Sequence, residues 1–125
     1  MPSIPEEVSK EWENRNGPIV LATVDKDGIP NAIYATCVSK FSEDTLVVAD
    51  NYFSKTKANI FAGSKGSLLF ITKEKKSFQI KGTIEYHTEG EIFTDMKKWN
   101  PEKLPGNAAA ALKVEEVYSG AEKLL

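Results

Sequence analysis

The nine residues Asn51-Tyr52-Phe53-Ser54-Lys55-Thr56-Lys57-Ala58-Asn59 bring together the side chains of this chain best suited to hold an anion. They follow the apolar run Leu46-Val47-Val48-Ala49 and lead into Ile60-Phe61-Ala62, so the segment reads as a corner between a strand and a helix. Ser54 stands where an N-cap would stand, and the first-turn amides of a helix starting there face outward. Lys55, Thr56 and Asn59 add a cation, a hydroxyl and an amide to the same end, a set that suits a phosphate. A solvated surface helix can show the same pattern, and the surrounding elements must decide between the two.

Other chemistry has little support. There is no Gly-rich dinucleotide loop, no Walker loop, no Cys-x-x-Cys pair and no His-Glu-x-x-His helix. A Ser-His-Asp or Cys-His mechanism would rest on His87, the single histidine, which falls on the polar side of a strand near its end. The single cysteine, Cys37, has no partner for a disulfide or a sulfur-ligated metal, and its apolar surroundings predict a small buried hydrophobe. Asp25 with Asp27 flanks a turn and Glu115 with Glu116 falls in the terminal segment, so both pairs read as solvated charge. No catalytic side chain and no metal ligand set is predicted.

Length and composition are those of one globular domain spanning residues 1–125. Apolar residues make up 41%, charged residues 27%, and the formal charge is -2, which gives no electrostatic case for nucleic acid or an anionic membrane. The segment Met1-Pro2-Ser3-Ile4-Pro5-Glu6-Glu7 lacks the basic and apolar regions of a signal peptide. No apolar run approaches the roughly 20 residues that span a bilayer. A cytoplasmic location is expected.

Ser3-Ile4-Pro5-Glu6 has the form of a capping box, and Ile4, Val8 and Trp12 recur at helical spacing up to a stop at Asn16-Gly17. Ile19 to Val24 is a short β-branched run expected to be a buried strand, turned back by Asp27-Gly28. A return strand is predicted from about Pro30 to Ser39, then a turn at Ser42-Glu43-Asp44 and a strand from Thr45 to Asp50. A helix from Ser54 to about Ala62 stops at Gly63-Ser64-Lys65-Gly66, and Ser67 to Thr72 forms the next strand, with Lys73 to Lys76 as an exposed hairpin tip. Phe78, Ile80, Gly82, Ile84 and Tyr86 alternate with polar residues over a long half-buried strand. Thr88-Glu89-Gly90-Glu91 opens a helix carrying Ile92, Phe93, Met96 and Trp99, stopped at Asn100-Pro101. In the last segment, Leu112, Val114 and Tyr118 keep strand spacing broken by Glu116, and a strand is expected from about Ala110. About six strands, mostly joined by tight turns, with two or three short helices predict a small mainly β (α+β) antiparallel barrel.

The order of these elements, and in particular Leu-Val-Val-Ala-Asp-Asn, Ser54-Lys55-Thr56-Lys57-Ala58-Asn59, Gly66-Ser67-Leu68-Leu69-Phe70 and Gly82 within Phe-Gln-Ile-Lys-Gly-Thr, resembles the FMN-binding split-barrel family related to pyridoxamine 5'-phosphate oxidase. The resemblance covers nearly the whole chain. It implies a six-stranded split barrel and a homodimer with FMN at the subunit interface. It also implies that Lys55 pairs with the FMN phosphate while Ser54, Thr56 and Asn59 donate or orient hydrogen bonds around it. On the same basis Tyr34, Ala35 and Thr36 would line the ring largely through backbone groups, with Asp50 and Asn51 along the ribityl chain. Trp99 and Tyr118 would either pack in the core or reach the flavin. Arg15 is the only arginine, which departs from the oxidases that hold pyridoxal phosphate. The implied function is a flavin-dependent oxidoreductase or electron carrier. A deazaflavin-dependent or nicotinamide-linked reductase on the same barrel, or a flavin- or haem-binding module without catalysis, are the alternatives.

Overall fold

Thr45–Asp50 is buried at every position, which places this strand between two layers. The computed structural model describes residues 2–125, and Met1 lies outside the described residues. In chain order the elements are α1 (Glu6–Trp12), β1 (Ile19–Val24), β2 (Pro30–Ala35), β3 (Val38–Ser42), β4 (Thr45–Asp50), α2 (Lys55–Phe61), β5 (Gly66–Ile71), β6 (Ser77–His87), α3 (Glu91–Trp99), β7 (Ala108–Ser119) and the two-residue β8 (Glu122–Lys123). Every strand pairing is antiparallel, in the order β2-β1-β5-β6-β7-β4-β3, with β8 on β7.

β2 and β3 stand at opposite ends of that order, yet only Thr36 and Cys37 separate them in the chain. The sheet therefore curls until its two ends meet, and the result is the expected split barrel. The return strand predicted from Pro30 to Ser39 is thus two strands. It bends at Thr36-Cys37, leaving β1 for β4, and Cys37 O already accepts from Ala49 N at 3.0 Å. Seven principal strands replace the expected six because one predicted strand serves both ends.

The barrel interior holds Leu21, Leu46, Val48, Leu68, Phe70, Ile80, Leu112 and Val117, closed at one end by Ile4, Val8 and Trp12 of the α1 region. Trp12 meets Phe70 edge-on at 5.2 Å. α1 begins at Glu6 with Pro5 in the N-cap position and no side-chain cap, so the predicted Ser3 capping box does not form. Instead Ile4 N donates to Glu43 O at 2.6 Å, tying the start of the chain to the β3–β4 turn.

A second apolar layer lies outside the barrel, where Met96 with Ile92, Phe93 and Trp99 of α3 cover Val47, Ala49, Ala109 and Ala111. Alanines suit this position because a helix can lie close to small side chains. The alanine run, ambiguous between helix and strand in sequence, is a strand from Ala108 because it pairs with both β4 and β6. α3 starts after Gly90, at φ +92, and Thr88 makes no cap. No helix among the described residues is long and apolar enough to cross a membrane.

Candidate functional site

The β4–α2 corner is built around Asp50, which is 2% exposed. Its Oδ1 accepts from Phe53 N at 2.9 Å, which shapes the turn, and its Oδ2 accepts from Tyr86 Oη on β6. Burial pushes the Tyr86 phenol well above its ordinary range, and the hydrogen bond to Asp50 and the carboxylate charge add to the shift. Tyr86→Phe leaves half of a buried carboxylate without its donor and is expected to destabilise by about 1 to 2 kcal/mol. Because the folded-state value is raised, that contribution is complete below the ordinary tyrosine value of about 10 and fades as pH climbs beyond it. Urea unfolding should separate wild type from Tyr86→Phe at neutral pH and bring them together in strong alkali.

α2 is a single seven-residue segment docked on the barrel by its own polar side chains. Asn59 Nδ2 donates to Thr23 Oγ1 on β1 at 3.0 Å, and Asn31 Nδ2 on β2 donates to Thr56 Oγ1 at 3.2 Å. Both Thr56 and Asn59 are buried, at 1% and 5% exposure. Ser54 occupies the N-cap position without a side-chain cap bond, and it is exposed together with Lys55 and Lys57. The predicted anion corner is therefore divided: Ser54 and Lys55 face outward, whereas Thr56 and Asn59 anchor the helix. Asn59→Ala would strand the buried Thr23 hydroxyl. A loss of about 1 to 3 kcal/mol in folding stability is expected, measured by thermal or urea unfolding.

A cleft of about 400 Å3 opens beside this corner. It is lined by Ile33, Tyr34, Ala35, Thr36 and Cys37 from β2 and the bend after it, Ala49 of β4, Asn51, Tyr52 and Phe53 of the corner, and Leu104 from the α3–β7 loop. Among the described residues, the lining contains no carboxylate, ammonium or guanidinium group. β2 pairs with β1 alone, so its other edge carries main-chain donors and acceptors with no strand partner. Cys37 is half-buried in this wall rather than sealed in the core as predicted, because it lies at the bend between β2 and β3.

The sequence model of the family described as pyridoxamine 5'-phosphate oxidase matches residues 4–120. The chain belongs to the pyridoxamine 5'-phosphate oxidase-related family of FMN-binding split barrels. It is similar to an uncharacterized protein of Methanocaldococcus jannaschii, 34% identical over an alignment of 119 residues that covers 91% of this chain and 78% of that one. Among solved structures, HupZ of Group A Streptococcus superimposes with a TM-score of 0.81 at 25% identity, covering 93% of each chain. An FMN-binding protein from Syntrophomonas wolfei gives a TM-score of 0.74 at 22% identity over 90% of this chain and 94% of that one, a likeness of fold.

Of the residues predicted for the split-barrel site, Tyr34, Ala35, Thr36 and Asn51 line the cleft, and Asp50 sits behind it. Ile33, Cys37, Ala49, Tyr52, Phe53 and Leu104 also line it and were not predicted. Tyr52 and Phe53 lie inside the Asn51 to Asn59 corner and were legible there. Leu104 comes from a distant loop and carried no signal. Trp99 packs in the outer layer, its Nε1 donating to Asp95 Oδ2 at 3.3 Å, while Tyr118 Oη donates to Glu116 Oε1 at 2.5 Å. Neither lines the cleft. His87 is paired with Glu85 at 3.0 Å on β6, also outside the lining.

Proposed function

We propose that this chain is an FMN-binding flavoprotein that acts as a flavin-dependent oxidoreductase or electron carrier. The cleft carries this reading: it is neutral, walled by aromatic and aliphatic side chains and an unpaired strand edge, and it opens beside the exposed cation of Lys55. These residues fit the group. Ser54 and Lys55 would hold the phosphate, with Thr56 and Asn59 fixing the helix that carries them. Tyr34, Ala35 and Thr36 would meet the ring, and Asn51 the ribityl chain, on a turn shaped by Asp50. Bound there, FMN supplies electron or hydride transfer, and the protein binds it, orients it and limits water at its ring.

The only arginine supports a substrate other than a vitamin B6 phosphate. Arg15 lies 3.9 Å over the Trp12 ring and donates through Nη1 to Trp12 O at 2.7 Å, so the chain has no guanidinium at the cleft to grip a second phosphate. A homodimer is part of the proposal. Tyr34 and Tyr52, 78% and 77% exposed at the cleft, are large aromatic surfaces that a second subunit would cover. Light scattering of the flavin-loaded protein should give twice the chain mass, and a monomer would remove this part.

The deciding experiment is the visible spectrum of the purified protein with and without added FMN. A bound-flavin spectrum is the expected result. Absence of uptake would overturn the proposal, and copurification of a deazaflavin would assign the cleft to that cofactor instead.

A further inference from the structure

Asn51 lines the cleft, and its amide is held by residues that do not line it. Its Oδ1 accepts from Gly106 N and from Asn100 Nδ2, each at 2.9 Å, and its Nδ2 donates to Asn100 Oδ1 at 3.0 Å. Both asparagines are buried, at 9% and 6% exposure. A backbone N–H can only donate, so Gly106 fixes which end of the Asn51 amide is oxygen. The oxygen is then committed to the α3–β7 loop, and Nδ2 retains one hydrogen beyond the bond to Asn100. The one side-chain hydrogen-bonding group of Asn51 left uncommitted is therefore a donor and not an acceptor.

The same contacts hold the loop that supplies Leu104. Lys97 Nζ donates to Pro105 O and Gly106 O, both at 3.2 Å, and Asn107 N donates to Asp50 O at 2.9 Å. Gly106 has φ +52, and a Cβ there would fall 3.0 Å from Asn100 Nδ2, so the loop passes close against the paired amides.

We propose that Asn100 is a positioning residue for the cleft ligand: through the paired amides it sets the donor face of Asn51 and holds the 101–107 loop so that Leu104 forms a wall. This rests on the flavin reading above. Asn100 touches no ligand itself. Its effect should fall on the part of the ligand shared by FMN and riboflavin, not on the phosphate.

The test is titration of wild type, Asn100→Ala and Leu104→Ala with FMN and with riboflavin, alongside visible circular dichroism of the bound flavin and melting of the ligand-free proteins. Asn100→Ala is expected to lose about tenfold in affinity for both ligands, the size of one hydrogen bond to an oriented donor, with an altered dichroism band. Leu104→Ala should lose less for both, with a ligand-free melt near wild type. An Asn100→Ala protein that melts lower yet binds both flavins as wild type does, with the same dichroism, would make the pair purely structural and overturn the proposal. Should that variant fail to fold, wild-type affinity and dichroism in Leu104→Ala overturn it alone. A wild type that takes up neither flavin ends the functional reading and this one with it, whereas flavin uptake that is identical in all three proteins ends only this one.

Discussion

Gly82→Ala is expected to prevent the protein from folding. β6 and β7 form the longest ladder of the barrel, and their register shifts between Lys81↔Glu116 and Gly82↔Val114, leaving Glu115 as an extra residue on β7. The bulge drives the β7 backbone onto Gly82: a Cβ there would lie 1.7 Å from Lys113 O and 2.7 Å from Lys113 C. Those are main-chain atoms of a paired strand and cannot move aside as a side-chain tip would. The cost should exceed about 4 kcal/mol, a large part of the stability of a domain this size. Insoluble expression or loss of the cooperative melt is the predicted observation. Gly28→Ala, at φ +84 with open space around it, is the control and should cost only about 1 kcal/mol. A Gly82→Ala protein melting near that control would place the bulge elsewhere.

Lys55→Ala should separate FMN from riboflavin. The ammonium is exposed at the mouth of the corner, so its removal should leave the ligand-free melt unchanged. A charge-assisted bond to phosphate is worth about 1.5 to 3 kcal/mol, which corresponds to about a 10- to 150-fold weaker FMN complex. Riboflavin, lacking the phosphate, should bind as it does to wild type. Rising salt should narrow the difference between the two proteins, since exposed charges are screened. Equal losses for both ligands would move the phosphate away from Lys55. Together with the Asn100 variants, this substitution divides the site into a phosphate end and a ring end by which ligand each change affects.

Much of the barrel was legible because it depends on local pattern. The β-branched run Ile19 to Val24, the apolar Leu46 to Ala49 and the alternation from Phe78 to Tyr86 each announce a strand, and the turns between them are marked by Gly, Asp and Asn. The strand-to-helix corner at Ser54 was equally visible. The last strand shows where pattern reading stops. Leu112 and Val114 keep the period of two, but the bulge residue shifts the phase, so that Val117 enters the core and Tyr118 turns outward. A bulge is a mismatch between two strands, and one strand's residues do not display it.

The sequence by itself indicated most of the elements, their order and the strand-to-helix corner at Ser54-Lys55, because periodicity and turn chemistry are properties of neighbouring residues, and its motifs carried the resemblance to the family. Tertiary structure alone decided that Pro30 to Ser39 divides at Thr36-Cys37 to close the barrel, and that Thr56 and Asn59 turn inward to Asn31 and Thr23. It also decided that Leu104, Asn100 and Gly106 stand beside Asn51. Each of these depends on which distant groups can satisfy a buried polar atom or fill a face of the sheet. That choice exists only once the strands have paired and the sheet has curled.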